Sequence, residues 1–170
     1  MAPVHPCLHR TPMLIAGPHA AAAAGLLSDL DMSAEIAGDA VGDASAVKMI
    51  RSVMIKGIEA LTAECLLAAR RAGVDGRVLG SLVASDPGTD WPRHAAYNLE
   101  RMMVHGGRRA AEMREVAATL DELGMPSGLA TATAQWQDRI GELALPAGPD
   151  ELAARSDAIL ARLAGRDDQG

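Results

Sequence analysis

Five polar residues follow one another at helical spacing along a segment that is otherwise almost entirely apolar. They are Ser45, Lys48, Ser52, Lys56 and Glu59, and we call them the polar seam. Steps of three or four residues place side chains on one face of an α-helix. A helix that is apolar on nearly all of its surface is a buried helix, and a buried ammonium group needs a partner. The seam therefore predicts a polar cleft, a polar neighbour or a bound ligand beside this helix.

Lys48 and Lys56 are the only two lysines in the chain, whereas 14 positions carry arginine. A lysine side chain can be tuned by its surroundings to accept and return a proton, while arginine stays charged. This chemistry makes Lys48 a candidate general acid/base. The alternative is that both lysines are structural, with Lys56 and Glu59 forming an ion pair three residues apart.

A second group of candidate residues surrounds Gly106 and Gly107, which we interpret as the break before a new helix. The basic members of this group are Arg101, His105, Arg108 and Arg109. Backbone N–H groups at a helix start, together with cationic side chains, bind phosphate or carboxylate. The pattern indicates an anion-binding site. The alternative is a solvated helix junction in which Arg109 pairs with Glu112.

Three potential metal ligands, His5, Cys7 and His9, alternate near the start of the chain. They would project together only from a regular strand, and Pro6 disfavours one. No fourth ligand follows nearby, so we predict that the chain has no metal site.

The elements that position these residues differ on the two sides of residue 43. Before it, short apolar runs at 11–16 and 33–37 flank a helical stretch at 19–30, which predicts a β-α-β segment. Two parallel strands alone do not make a stable open sheet, so we expect this segment to be the edge of a larger sheet. We therefore divide the chain into a terminal β-α-β segment, residues 1–42, and a helical domain, residues 43–170.

From residue 43 onward the pattern is helical throughout. Asp43 is a suitable N-cap for one long helix over residues 44–72. Gly- and Pro-containing separators predict further helices at 76–84, 91–104, 108–123, 127–143 and 149–163. The fold class predicted is mainly α, a helical domain built on one long central helix and preceded by the short β-α-β remnant.

Composition narrows the possible partners. The chain has 170 residues, 49% of them hydrophobic and 2% aromatic, and a net charge of −6 without basic runs. Nucleic acids and membrane surfaces both need a basic patch, so we expect neither as a partner. Cys7 and Cys65 lie far apart, which argues against a disulfide framework and favours the cytoplasm.

The motifs in this chain resemble those of a known family. Residues 38–48, GDAVGDASAVK, resemble the glycine-rich turn and catalytic lysine of the β-hydroxyacid dehydrogenases, the group containing hydroxyisobutyrate and 6-phosphogluconate dehydrogenases. GDASAVKM followed by KGIEAL, and HGGRRAAEM followed by LGM, are similar to the helical C-terminal domain of a phosphogluconate-dehydrogenase-like branch of that family. The resemblance extends over residues 2–143.

This resemblance implies an NAD- or NADP-dependent oxidoreductase that acts on a small acidic substrate of the hydroxy acid type and forms a homodimer. Lys48 would be the acid/base on the substrate hydroxyl during hydride transfer. The resemblance also implies roles for further residues: substrate contacts at Ser45, Ser52, His105, Arg108 and Arg109, and cofactor contacts at Gly42 and Asp43.

The chain also departs from the family pattern. Ser52 stands where the family commonly has asparagine, and Ala2-Pro3-Val4 is not followed by the usual Ser-Gly-Gly loop. No G-x-G-x-x-G turn occurs, so we expect the chain to begin near the last strands of a Rossmann domain and to bind the cofactor poorly by itself. The alternative is a non-catalytic helical module for dimerisation or ligand binding.

Overall fold

The structure is a computed structural model, and it describes residues 7–167 of the chain, with side-chain surroundings for residues 7–165. Helix accounts for 72% of the described residues. The chain folds as two compact units, residues 1–51 and 52–170. The division falls inside the long helix, not ahead of it at residue 42 as the sequence had suggested.

The first unit contains the predicted β-α-β segment. After a 3₁₀ turn at Leu8–Arg10 come strand β1 (Met13–Ala16), helix α1 (Ala20–Asp29) and strand β2 (Ala34–Gly38). The strands pair in parallel, with Met13 opposite Ala34 and Ile15 opposite Ile36. The crossover helix makes this parallel pairing possible, because parallel strands need a connection long enough to return to the same edge.

The long helix α2 runs from Asp43 to Arg71 and crosses from the first unit into the second. It begins with an acidic residue and ends with Arg70 and Arg71, the order that the helix dipole favours. In the second unit it buries polar side chains of the seam and exposes apolar ones: Met54 and Leu61 are 64% and 66% exposed. The prediction that the apolar sides of this helix are buried is therefore wrong for the face that carries Met54 and Leu61.

The remaining helices all belong to the second unit. They are α3 (Asp75–Ser85), α4 (Trp91–Glu122), α5 (Gly128–Gly141) and α6 (Leu152–Asp167). The predicted break at Gly106-Gly107 is wrong, because α4 continues through both glycines for 32 residues. Asp90 starts this helix by accepting a hydrogen bond from the backbone N–H of Arg93 at 3.2 Å.

The core of the second unit lies between α2, α4, α5 and α6. Its buried apolar side chains come from all four helices and the residues just after α5: Ala63, Leu67, Leu99, Met102, Met103, Ile140, Leu143 and Ile159. Trp136 packs against this core and donates its indole N–H to Glu64 at 2.8 Å. Burial of these side chains holds the four helices together, including α2, which carries the polar seam.

Gly106 explains why α4 carries glycine without ending there. A Cβ on Gly106 would lie 2.3 Å from the carbonyl oxygen of Gln137 and 2.7 Å from Cα of Gly141. A Cβ on Gly141 would in turn meet the backbone of Gly106 and Gly107. The two helices thus cross in backbone contact, and glycine is required by packing and not by a turn.

Candidate functional site

Lys56 lies at the centre of a polar network in the second unit. The residue is only 6% exposed. Its ammonium Nζ donates to Ser52 Oγ at 3.0 Å and forms an ion pair with Oε2 of Glu112 on α4, also at 3.0 Å. The second oxygen of Glu112 accepts from Arg108. Ser52, Lys56, Glu112 and Arg108 therefore form one connected chain from the buried seam to the surface.

Glu59 belongs to a neighbouring set of buried contacts. Its carboxylate accepts from Nε of Arg109 at 2.8 Å and from Nε2 of Gln137 at 2.8 Å. Both ion pairs considered from the sequence are wrong in partner: Lys56 pairs with Glu112 instead of Glu59, and Arg109 pairs with Glu59 instead of Glu112. Both observed ion pairs, Lys56–Glu112 and Glu59–Arg109, join α2 to α4.

In the first unit, the glycine turn leads directly into α2. The backbone N–H of Ala40 donates to Oδ2 of Asp43 at 3.1 Å. A Cβ on Gly38 would collide with that carboxylate at 2.0 Å, and Gly42 has φ of +107°, a conformation that side chains disfavour. Asp43 therefore fixes the turn from inside. Gly38 leaves room for its carboxylate, and Gly42 supplies the positive φ of the turn.

Lys48 and Ser45 follow this turn on the first turns of α2. Both side chains are exposed to solvent. The exposure of Lys48 contrasts with the burial of Lys56, so the two lysines lie in different surroundings. Lys48 lies at the surface, whereas Lys56 is buried between Ser52 and Glu112.

The basic cluster predicted at a helix start lies instead in the middle of α4. The expectation that free backbone N–H groups at residues 106–109 bind an anion is therefore wrong, because interior helical N–H groups bond to carbonyls of their own helix. Of the cluster, Arg109 is buried with Glu59, while Arg108 is exposed and shares Glu112. Only the exposed side chains of the cluster, such as Arg108, remain available as anion ligands.

The pKa of His105 is shifted by burial and by the neighbouring arginines. Its pKa is lowered from the ordinary value of histidine, first because burial disfavours the charged ring and then because Arg101 and Arg108 repel it. The neutral imidazole is therefore favoured in a positively charged neighbourhood.

Two residues of the polar networks around Lys56 and Glu59 were not identified in these roles from the sequence. Gln137 lies 78 residues from Glu59, and nothing in its local pattern marks it. Glu112 was considered only as a partner for Arg109. Long-range partners of this kind leave no periodic signal, so sequence reasoning has no means of finding them.

Metal ligation finds no support in the described region. Among residues 7–167 no group of three or more His, Cys, Asp or Glu side chains is arranged to hold a metal ion. His5 lies outside the described residues. Nε2 of His9 lies 3.6 Å from Oδ2 of Asp31. No helix in the same region has both the length and the apolar character that crossing a bilayer requires.

Comparison with known proteins places this geometry in context. Residues 69–140 match the family model described as Domain of unknown function (DUF1932). A conserved hypothetical protein from Sinorhizobium meliloti 1021 is 37% identical, with a TM-score of 0.83 over 95% of this chain and 55% of that one. A conserved protein of unknown function, MTH1747, whose structure is described as revealing structural similarity with 3-hydroxyacid dehydrogenases, is 32% identical, with a TM-score of 0.72 over 84% of this chain and 54% of that one.

No curated protein matches the sequence. The chain spans about half the length of the two solved relatives. Together, the family match and the structural likeness confirm the resemblance to the helical C-terminal domain of 3-hydroxyacid dehydrogenase-like proteins.

Proposed function

Since the chain carries the DUF1932 domain and shares the helical domain of 3-hydroxyacid dehydrogenase-like proteins, we propose that it is the substrate and dimerisation region of an NAD(P)-dependent oxidoreductase. Its substrate would be a small hydroxy acid. The observation that carries this proposal is the exposed Lys48 just after the glycine turn, on a fold shared with a protein described as similar to 3-hydroxyacid dehydrogenases.

Lys48 would act on the proton of the substrate hydroxyl. In the oxidation of an alcohol to a ketone, the hydroxyl loses its proton while the carbon loses a hydride, and a neutral lysine amine is suited to take the proton. In the reverse direction the ammonium returns it. Ser45 and Ser52 would hydrogen-bond the substrate, and the side chains of Arg108 and Arg109 would set a positive potential for its acidic group. The neutral imidazole of His105 would offer that group a hydrogen bond.

The dinucleotide itself does not fit the residues of this chain. The described residues contain no G-x-G-x-x-G turn after a strand, and the carboxylate of Asp43 is already used by the backbone of Ala40. We therefore assign phosphate binding to residues outside this chain and limit Gly42 and Asp43 to the border of the cofactor site. Either NAD or NADP is compatible with this assignment.

Dimerisation would use the exposed apolar face of α2 in the second unit. Met54, Ile58, Leu61 and Cys65 follow at steps of four, three and four residues and are all exposed. Apolar side chains at this spacing form one stripe that a second helix can cover. Cytoplasmic location is part of the same proposal, and the free thiols Cys7 and Cys65 suit a reducing compartment.

The retained lysine and glycine turn favour this proposal over a non-catalytic helical module. The test is turnover of a panel of 3-hydroxy acids, with NAD or NADP added, by this chain joined to the part of the Sinorhizobium meliloti relative that this chain does not span. Lys48→Met is expected to lower kcat by at least about 100-fold, the contribution of a general acid/base. Arg71→Met, a change of an exposed cation at the far end of α2, is the matched control. Near-normal kcat in Lys48→Met would contradict the proposal.

A further inference from the structure

Three nitrogen-bearing side chains follow one another along α4 at steps of four and three residues: Arg101, His105 and Arg108. This spacing brings side chains together on one side of a helix. The side chain of Arg108 is 56% exposed, and Arg101 and His105 are partly exposed. Arg109 does not belong to this group, because it is buried against Glu59. We call Arg101, His105 and Arg108 the basic face of α4.

Both arginines of the basic face keep donors for a further ligand. Arg108 binds Glu112 through one terminal nitrogen, Nη1, and a guanidinium has five N–H donors in all. The guanidinium carbon of Arg101 lies 5.9 Å from the centre of the Tyr97 ring. Within residues 7–165 no carboxylate forms an ion pair with Arg101. An aromatic ring attracts a cation without neutralising its charge, so this arginine stays available to an anion.

The imidazole of His105 lies between the two arginines along the helix, and its charge can change. Its pKa is lowered, first by burial and then by repulsion from Arg101 and Arg108. Arg109 adds to this repulsion and Glu100 opposes it, so the charged groups that shift the pKa all belong to α4. The ring makes no hydrogen bond with any described residue. An anion bound by the arginines would offset their repulsion and stabilise the imidazolium.

We propose that the basic face of α4 binds an acidic group that carries two negative charges, and that His105 takes up a proton when this group binds. Two fixed cations and one inducible cation favour a doubly charged anion over a singly charged one, because each attraction grows with the charge of the anion. The inference rests on the proposed function in one respect, which is that the anion belongs to the substrate. The substrate class is then a hydroxy acid with two negative charges.

Sulfate is a suitable probe of the face, because it stays doubly charged between about pH 5.5 and about pH 7.5. Nitrate at the same ionic strength is the singly charged control. Both are titrated into the isotope-labelled chain while the histidine ring signals are followed by NMR, and His105→Gln identifies the signals of His105. Sulfate should bind at least about tenfold more tightly than nitrate. It should also raise the pKa of His105.

Proton uptake gives the sulfate affinity a defined pH dependence. Since the complex holds more protons than the free chain, sulfate should bind more tightly as the pH falls from about 7.5 to about 5.5. In His105→Gln this dependence should disappear. Equal affinity for sulfate and nitrate, or a pKa of His105 that sulfate leaves unchanged, would overturn the inference. Both results come from the unmutated chain and need no variant to fold.

Arg101→Met tests the face itself. The variant should bind sulfate about tenfold more weakly. The pKa of His105 in its free form should rise, since one repelling charge is removed. Arg93→Met removes an exposed arginine near the start of the same helix and should change neither quantity. A merely structural Arg101 would lower the unfolding temperature and leave both quantities unchanged, which would count against the proposed site.

Malate and 3-hydroxybutyrate test the substrate class, because malate has a carboxylate where 3-hydroxybutyrate has a methyl group. Malate should bind the chain at least about tenfold more tightly, and Arg101→Met should remove most of this difference. Equal binding of the two acids would overturn the substrate class. These measurements involve no cofactor and no turnover. Tighter binding of malate together with near-normal kcat in Lys48→Met would therefore count against the catalytic proposal alone, and the opposite pair of results against this inference alone.

Discussion

The guanidinium of Arg109 and the carboxylate of Glu59 form a two-point ion pair within the second unit, although the residues are 50 positions apart. Nε of Arg109 donates to Oε2 at 2.8 Å, and the terminal nitrogen donates to Oε1. Only 8% and 3% of the two side chains are exposed. Gln137 donates to the same carboxylate. One carboxylate thus joins α2, α4 and α5.

Removing one partner of this pair is expected to destabilise the protein strongly. Glu59→Ala leaves the Arg109 guanidinium buried without its counterion, which costs about 3–5 kcal/mol of unfolding free energy. The double variant Glu59→Leu/Arg109→Met removes both charges and should lose less than Glu59→Ala alone. Urea denaturation measures both values. A double variant that is less stable than the single one would contradict this account of the pair.

The two adjacent glycines of α4 provide a matched pair of substitutions. Gly106→Ala forces a Cβ into the backbone of α5 and is expected to cost about 1–3 kcal/mol or more. Gly107→Ala meets nothing within 4 Å and should stabilise the helix by roughly 0.5–1 kcal/mol. Denaturant unfolding of both variants checks the difference. Equal effects would mean that α4 and α5 do not cross at Gly106.

His105 makes the stability of the protein depend on pH in a defined direction. Because its pKa is lowered in the folded state, the unfolded chain takes up a proton first as the pH falls below about 6.5. The free energy of unfolding should therefore decrease between about pH 7.5 and about pH 5.5, and His105→Gln should reduce that decrease. His94→Gln, a change at an exposed position on the same helix, is the control. A pH dependence unchanged in His105→Gln would contradict the assignment.

The exposed apolar stripe of α2 predicts the oligomeric state. If Met54, Ile58 and Leu61 are covered by a second copy, Leu61→Asp places a charge in that contact and should shift the protein to monomer. Leu129→Asp changes a leucine outside the stripe that is even more exposed, 77% against 66% for Leu61, and should leave the oligomeric state unchanged. Sedimentation velocity of the three proteins decides between these outcomes, and a monomeric unmutated chain would remove the proposed dimer.

Most of the helices and both strands could be predicted from the sequence because their signals are local. The long helix was predicted at 44–72 and is observed at Asp43–Arg71, and the strands differ from their predicted ranges by one or two residues at their ends. The error at Gly106-Gly107 has a specific cause. Glycine can either end a helix at a turn or let two helix backbones come into contact. At Gly106 the second role applies because Gly141 of α5 lies against it, and this contact is visible only in the tertiary structure.

By itself, the sequence determined the helical class, the β-α-β segment, and the position of Lys48 after the glycine turn. These features depend on residue spacing within one element. Only the tertiary structure decided which polar groups meet: Lys56 with Glu112, and Glu59 with both Arg109 and Gln137. Those contacts join residues 50 or more positions apart, and the packing of α2 against α4 and α5 sets their geometry, which no local periodicity encodes.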